Sequence, residues 1–361
     1  MKAVAILFPS REVRVIDAPE PKLRSPSDVR VRTLEVGICG TDKDILEGQH
    51  GAAPKGEDHL ILGHECLGEV AEVGAAVQGL KAGDLVVPRV RRPCPHARCA
   101  ACRHGYSDFC VTGDYTERGI QAAHGFGAQF FVEDVAYLHR VPSELRGVAV
   151  LTEPLTIAEK ALREVERVQG RLPWKPKEPG RAVVLGAGPV GLLGAMALLR
   201  AGYSTHVYSR SPKPNDKAAA AEALGAPYLS SKEVPPEELA RRAGPIDLVY
   251  EAAGASKAAF DVLEVLGPNG VFIFTGVPGR KEPLSRDGSE LMRKLVLNNQ
   301  LALGTVNAAD VDFEAAIADL GRFRARWPGG VERLMTKRHP PEAYPEVVRA
   351  KGGIKHVIAF D

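Results

Sequence analysis

Four of the six cysteines, Cys94, Cys99, Cys102 and Cys110, fall in one short segment as C-x4-C-x2-C-x7-C. In a chain of 361 residues such crowding favours a metal over a disulfide framework. Four thiolates leave no open coordination position, so the spacing fits a structural zinc that staples a loop. The Cys99-Ala-Ala-Cys102 pair is its most specific part. His96 and His104 are alternative ligands. Thiols without a metal and a redox C-x-x-C are the other readings, the last weakened by the flanking cysteines.

A second set of metal-ligand types is spread along the chain. Cys39 ends an apolar strand and is followed by Gly40, Thr41 and Asp42. His64 and Glu65 interrupt the apolar run LILGHECLG, and Glu153-Pro154 opens a helix-like stretch. Cysteine, histidine and glutamate suit a catalytic zinc, which takes three protein ligands and keeps one open position. Spacing alone joins none of these residues. On residue chemistry, a buried cysteine beside a solvated His–Glu pair is the simpler reading. Beside a metal, Gly63 and Gly68 would let the backbone bend around it.

The third constellation is Gly186-Ala187-Gly188-Pro189-Val190-Gly191, after the strand-like AVVL and before a helix-like run. In that context the three glycines serve, in turn, a tight turn, close approach to a pyrophosphate, and tight helix–strand packing. About 20 residues on, an acid would bind the ribose 2′-hydroxyl of NAD. The second strand instead ends Ser209-Arg210-Ser211-Pro212-Lys213, without an acid. Ser209, Arg210, Ser211 and Lys213 suit a 2′-phosphate, so NADP is preferred, with NAD as a second acceptor. The alternative is a solvated basic loop.

These groups need elements to hold them. KAVAILF, REVRVID, DVRVRTLEVGIC, ECLGEVAEVG and DLVVPRV read as short strands with turns, a compact all-β domain. LTEPLTIAEKALREVERV reads as a helix, and QGRLPWKPKEPG as a linker. From Arg181, strands (AVVL, THVYSR, PIDLVYEAAG, VFIFTGV, LALGTV) alternate with helices (DKAAAAEALG, SKAAFDVLEVL), the pattern of a doubly wound parallel sheet. VDFEAAIADLGRF reads as a helix and HVIAFD as a final strand that returns to the first domain. The expected division is therefore 1–178 with 308–361, carrying a cysteine lobe near 91–112, and 179–307 for the nucleotide.

Composition bounds the rest. Hydrophobic residues make up 45% and charged residues 25%, ordinary for a soluble enzyme, and the net charge of +2 argues against nucleic acid or an anionic membrane. No apolar run reaches the ~18 residues of a membrane span, and the start lacks signal-peptide character, so a cytoplasmic location is expected. Twenty-seven prolines against four methionines lean thermophilic.

Taken together, CGTDKDILEGQHGAAPKGEDHLILGHE, the four-cysteine lobe, TEPLTIAEKAL, the glycine fingerprint and GTVNAADVDF resemble the zinc-containing medium-chain dehydrogenase/reductases over essentially the whole chain. Within them the chain is similar to the glucose 1-dehydrogenases of archaeal, thermophilic type. The resemblance implies a GroES-like catalytic domain beside a Rossmann domain, and NAD(P)-dependent oxidation of an aldose, D-glucose first, at C1 to the lactone. It implies Cys39, His64 and Glu153 as ligands of the catalytic zinc, with Glu65 adjacent as a displaceable ligand, and Thr41 as proton relay. It implies Glu117, Glu153 and Asn307, with Thr41, His64 and Glu65, around the sugar, and Thr275, Gly276, Val277 and Leu303 to Thr305 along the nicotinamide. A homotetramer, with a dimer as the alternative, follows from the same resemblance. Three positions depart from the family: the first cysteine gap is four residues rather than two, Asp44 replaces a common relay histidine, and Val90 replaces an asparagine of some relatives. A sorbitol- or threonine-type dehydrogenase is the alternative, but would carry an NAD-type acid after the second strand. A cofactor-binding protein that has lost catalysis would have a broken Cys39/His64/Glu153 set.

Overall fold

The computed structural model describes residues 1–174, 179–279 and 283–360. The middle of the expected linker, Lys175 to Glu178, and with it the expected boundary after residue 178, lies outside the described residues, as does Asp361 at the end of the expected last strand.

Alternating apolar residues build the first unit. The strands β1 (Lys2–Leu7) and β2 (Glu12–Asp17) pair antiparallel, and Val4 and Ile6 of β1 enter the core. The long β3 (Asp28–Gly37) buries Val29, Val31 and Val36 and leads through Cys39 into the short helix α1 (Gly40–Leu46). After β4 (His59–Ile61), which pairs with β1, come β5 (Glu65–Val73) and β6 (Leu85–Pro88). The cysteine lobe is bounded by β7 (Arg91–Arg92) and β8 (Thr116–Arg118), contains the single turn α2 (Ala100–Arg103), and is followed by β9 (Ala122–Ala123). Then β10 (Phe130–Asp134) joins β3, and β11 (Leu138–Val141) joins β6.

The helix α3 (Thr152–Gln169) carries the chain onward; its Pro154 sits in the first turn, where a missing N–H costs nothing. The second unit holds six parallel strands: β12 (Arg181–Leu185), β13 (Ser204–Ser209), β14 (Tyr228–Ser230), β15 (Ile246–Glu251), β16 (Leu266–Phe274) and β17 (Leu301–Gly304). Their order, β14-β13-β12-β15-β16-β17, is the 3-2-1-4-5-6 order of a dinucleotide fold. The connecting helices are α4 (Pro189–Arg200), α5 (Asp216–Ala223), α6 (Pro236–Ala243), α7 (Ser256–Leu263) and α8 (Gly288–Leu297). The strand β14 and the helices α6 and α8 were not among the elements expected from sequence.

The chain ends with α9 (Asp310–Arg326), β18 (Met335–His339), α10 (Tyr344–Val347) and β19 (Lys355–Ala359). The terminal strand β19 pairs antiparallel with β3, and Ile358 lies in the first core. Two compact units result: 1–156 with 307–322 and 335–361, and 157–306 with 323–334. The changeovers differ from the expected 178/179 because most of α3 groups with the second unit, as does the end of α9. Among the described residues, no helix is long and apolar enough to cross a membrane.

Candidate active site

The strand end at Gly37 and the turn before β5 bring the first cluster together. Side-chain donors of Cys39, His64 and Glu65 all lie within 4.8 Å of one another. Gly63 reaches this turn with φ +90, where a Cβ would sit 2.6 Å from Val36 Cγ1, so the bend at 63 needs glycine. Gly68 lies within β5, beside a register shift of the β3–β5 ladder, and gives room to Val31 and Phe131. Strand alternation then sends Glu65 to one face and Cys66 to the other. Cys66 packs in the core, where burial pushes its thiol up.

Each group of the cluster is held by a neighbour. Cys39 caps α1, and its backbone N–H donates to Asp42 Oδ2 at 2.8 Å. Thr41 Oγ1 lies 3.7 Å from Cys39 Sγ. His64 is 3% exposed, and its Nδ1 lies 3.7 Å from Asp42 Oδ1, leaving Nε2 as the donor on the other side of the ring. Burial works against the charged imidazole, but Asp42, Cys39 and Glu153 outweigh it and the net shift is upward. Burial raises the Asp42 carboxyl, against the pull of His64. Glu65 is fully buried, and its Oε2 accepts from the Nζ of Lys355, which also donates to the Ile38 carbonyl at 3.0 Å. Burial presses the Lys355 ammonium toward neutrality, but the charges of Glu65 and Cys39 turn the net shift upward. Gly37 stands opposite Glu65 in the β3–β5 ladder, and any Cβ there would overlap Glu65 Oε2.

Glu153, second residue of α3, falls outside the tight group of three, but acts electrostatically on both His64 and Lys355. Burial pushes its carboxyl up to about 7, opposed by His64. The donor set tests well for zinc: a thiol, an imidazole and carboxylates, with Glu65 Oε1 buried and without a hydrogen-bond partner among the described residues. A cation would satisfy the free Glu65 oxygen, and Asp42 would orient the imidazole as carboxylates do behind metal-bound histidines.

Glu117 and Asn307, far apart in sequence, meet in this same unit. Asn307 Nδ2 donates to Glu117 Oε1 at 2.8 Å, and Arg91 Nε donates to the same oxygen at 3.0 Å. Arg91 is buried, lies over the Tyr115 ring, and also donates to the carbonyls of Ser107 and Asp108 in the cysteine lobe. Gly119, two residues after Glu117, lies against the Gly63 backbone beside His64, where a Cβ would sit 2.5 Å from the Gly63 carbonyl oxygen.

In the lobe, the sulfurs of Cys94, Cys99, Cys102 and Cys110 lie within 4.8 Å of one another, with Cys99 Sγ and Cys110 Sγ 4.0 Å apart. A zinc tetrahedron with bonds of ~2.3 Å has S···S edges of about 3.8 Å, so the four fit one. Burial raises Cys102 to about 12. For Cys110, hydrogen bonds from Thr112 and Gly113 outweigh burial and bring the thiol down to about 6. The alternative ligands are engaged elsewhere: His96 pairs with Asp114, and His104 Nδ1 donates to the Ala100 carbonyl at 2.7 Å. A third group, Glu57, His59 and His124, also has metal-ligand spacing. There the Ile61 N–H donates to His124 Nδ1 (3.1 Å), which puts the ring proton on Nε2 facing Glu57 Oε2 (2.7 Å). A metal at Nε2 would have to displace that proton, so this group is a hydrogen-bonded clasp under β4.

The second unit carries the nucleotide features. Gly186 has φ +108 and its N–H donates to the Tyr208 carbonyl at 2.9 Å. Gly188 caps α4 with open space at its Cβ position, Pro189 is the first residue of the helix with Val190 after it, and Gly191 packs on the Gly186 carbonyl. Ser209 ends β13; Arg210 is exposed; the carbonyls of Arg210 and Ser211 accept from Ser230 Oγ (3.1 Å) and Tyr228 OH (2.7 Å). Lys213 pairs with Glu222. Thr275 Oγ1 donates to the Glu251 carbonyl at 2.7 Å, Val277 is exposed, Leu303 pairs with Ile273, and Thr305 N–H donates to the Phe274 carbonyl at 3.0 Å.

Sequence reasoning missed Asp42's hold on His64, Lys355, Arg91, Gly37 and Glu251. A lysine inside the apolar stretch GIKHVIAF was the one signal for Lys355.

A thiol–imidazole–carboxylate cluster in a β-rich unit, with a four-cysteine lobe and a 3-2-1-4-5-6 dinucleotide sheet, defines the zinc-containing medium-chain dehydrogenase/reductases. Residues 25–143 match the alcohol dehydrogenase GroES-like domain, and residues 146–360 match the glucose dehydrogenase C-terminus. The glucose 1-dehydrogenase of Thermoproteus tenax is 44% identical over 335 residues, covering 92% of this chain and 91% of that one. That of Methanocella arvoryzae is 41% identical over 339 residues, covering 94% and 93%. A solved structure of Haloferax mediterranei glucose dehydrogenase in complex with NADP, Zn and gluconolactone is 35% identical, with a TM-score of 0.90 over 100% of this chain and 99% of that one. The chain belongs to the glucose 1-dehydrogenase family of this superfamily.

Proposed function

We infer that this chain oxidises an aldose, D-glucose first, at C1 to the aldonolactone, with NADP as hydride acceptor. The observation that carries the reading is one unit holding both a Cys39–His64–Glu65 cluster and a hydrogen-bonded Glu117–Asn307 pair, with Gly119, two residues after Glu117, against the Gly63 backbone. A carboxylate and an amide offer acceptors and donors to neighbouring sugar hydroxyls, whereas a hydrocarbon alcohol would call for an apolar lining.

Cys39, His64 and Glu153 are the proposed zinc ligands, with Glu65 as the exchanging one; Cys94, Cys99, Cys102 and Cys110 are proposed to hold a second, structural zinc. When bound, zinc supplies a Lewis acid that acidifies the C1 hydroxyl, and nicotinamide supplies the hydride acceptor. Asp42 fixes the His64 ring. Lys355 compensates the charge of Glu65, so that residue remains buried whether or not it touches the metal. Thr41 Oγ1, beside Cys39, relays the hydroxyl proton, accepting it while passing its own toward the cofactor ribose. Glu117 and Asn307 hold the sugar ring in one orientation, which is where positioning contributes to rate. Gly186, Gly188 and Gly191 cradle the pyrophosphate, and Ser209, Arg210, Ser211 and Lys213 the 2′-phosphate. A homotetramer is part of the same proposal, and the exposed Met292, Val296 and Leu297 of α8 support self-association.

Steady-state assays of zinc-replete protein with NADP and a panel of aldoses test the reading. Turnover led by glucose is expected; no turnover with any aldose overturns it.

A further inference from the structure

Glu251 closes β15 and is 1% exposed, yet no step of the reaction above uses it. Its Oε1 accepts from the N–H groups of Ala253 and Gly254, both at 2.8 Å, and its Oε2 accepts from the N–H of Gly276 at 3.1 Å. One carboxylate thus ties the loop after β15 to the loop after β16. Its backbone carbonyl adds a second tie, accepting from Thr275 N–H (3.0 Å), Thr275 Oγ1 (2.7 Å) and, as the longer branch of a shared bond, Gly276 N–H (3.2 Å).

The two loops also press on each other. A Cβ on Gly276 would overlap Gly254 N and sit 2.8 Å from Glu251 Oε2, and a Cβ on Gly254 would sit 2.7 Å from the Val277 carbonyl. The pyrophosphate turn joins the same assembly. Ala252 N–H donates to the Leu185 carbonyl at 2.9 Å, and a Cβ on Gly186 would sit 3.1 Å from Ala253 Cβ. Three adjacent strand ends, those of β12, β15 and β16, therefore meet around one buried carboxylate. In a doubly wound sheet this end is where the ligand lies. Among the described residues no cation pairs with this acid, so its burial is costly, and burial raises the carboxyl despite the backbone donors. A neutral apolar residue would fill the place at less cost if it served packing alone.

We propose that Glu251 is a positioning residue for the known reaction: its carboxylate clasps the loops 252–254 and 275–277 into one rigid platform for the nicotinamide half of the cofactor. This rests on the NADP-dependent reading above. A glutamine at 251 keeps the shape but has one acceptor oxygen. It can serve Ala253 and Gly254 together, but then turns an NH2 donor toward the Gly276 N–H. The clasp opens on the β16 side only.

The test compares wild type with Glu251→Gln and Glu251→Ala in the full zinc-loaded chain. Without cofactor, amide hydrogen exchange at Gly276, which keeps its branch to the Glu251 carbonyl, should speed by about threefold or more in Glu251→Gln, with Ala253 and Gly254 changed less, whereas Glu251→Ala should loosen all three, Ala253 and Gly254 most. NADPH should bind about tenfold more weakly to either variant by nicotinamide fluorescence, while 2′,5′-ADP, which lacks the nicotinamide half, binds as before. Equal weakening of NADPH and 2′,5′-ADP, or unchanged exchange at Gly276, overturns the proposal. The exchange arm reads the clasp without turnover, so a wild-type chain inactive on every aldose would sink the functional reading and leave that arm to decide the clasp.

Discussion

Gly37→Ala is the sharpest probe of how the cluster is built. Gly37 adopts ordinary extended backbone, so alanine brings no conformational strain of its own. The whole effect is steric: the new methyl overlaps Glu65 Oε2 and lies 3.1 Å from Glu65 Cβ and Cδ. To restore ordinary contact the carboxylate has to retreat by more than about 1 Å, which takes it off Lys355 Nζ. Both partners are at most 2% exposed, so the broken pair leaves two buried charges unmatched, at a cost of about 3–5 kcal/mol. In a Glu65→Ala background the overlap with Oε2 is gone and only the 3.1 Å approach to the Cβ of residue 65 remains. There the gain of about 0.4–1 kcal/mol through the unfolded chain offsets that tight contact, and Gly37→Ala should be near neutral. Amide hydrogen exchange of the paired β3 and β5 residues reads stability locally, at the ladder that Gly37 and Glu65 share. Protection there should fall by about a hundredfold or more in the single variant, with a coupling energy of about 3–5 kcal/mol, the whole cost of the broken pair, in the double-mutant cycle. An equal cost in both backgrounds would refute the assignment of the strain to Glu65.

Two further outcomes follow from the geometry. Arg91→Ala removes the guanidinium from Glu117, leaving Asn307 as its remaining donor, so KM for glucose should rise about tenfold or more with a smaller fall in kcat, and Arg91→Lys, which keeps the charge but not the fork, should recover part of it. Arg210→Ala should weaken NADP by about tenfold or more while leaving NAD within about twofold, measured as dissociation constants; equal losses speak against a 2′-phosphate clamp.

The parts of this protein that could be read from sequence are those whose partners lie close along the chain. The four-cysteine lobe closes within a single loop, and the glycine fingerprint needs only one strand–turn–helix, so local spacing suffices for both. His64 stood out because an imidazole interrupts an apolar run. What gives it a place is long-range: Asp42 comes from the helix after β3, Lys355 from the last strand, and Gly37 from across the β3–β5 ladder. No local periodicity reports such meetings. Gly68, a glycine beside a candidate ligand, suggests a bend from sequence; in the fold it lies beside a register shift of the β3–β5 ladder and gives room to Val31 and Phe131. Glu251 lies inside the expected strand PIDLVYEAAG, where nothing local sets it apart, and the fold of the neighbouring loops buries it. The strand β14 was missed because three residues carry too little alternation to be seen.

The most direct measurement follows the hydrogen on C1 of the sugar. Zinc-replete protein is given NADP and glucose carrying deuterium at C1, and the reduced cofactor is analysed by mass spectrometry with the lactone as co-product. The expected result is one deuterium on the nicotinamide ring for each lactone formed. Reduced cofactor without deuterium, or lactone formed without reduced cofactor, would contradict direct hydride transfer from C1.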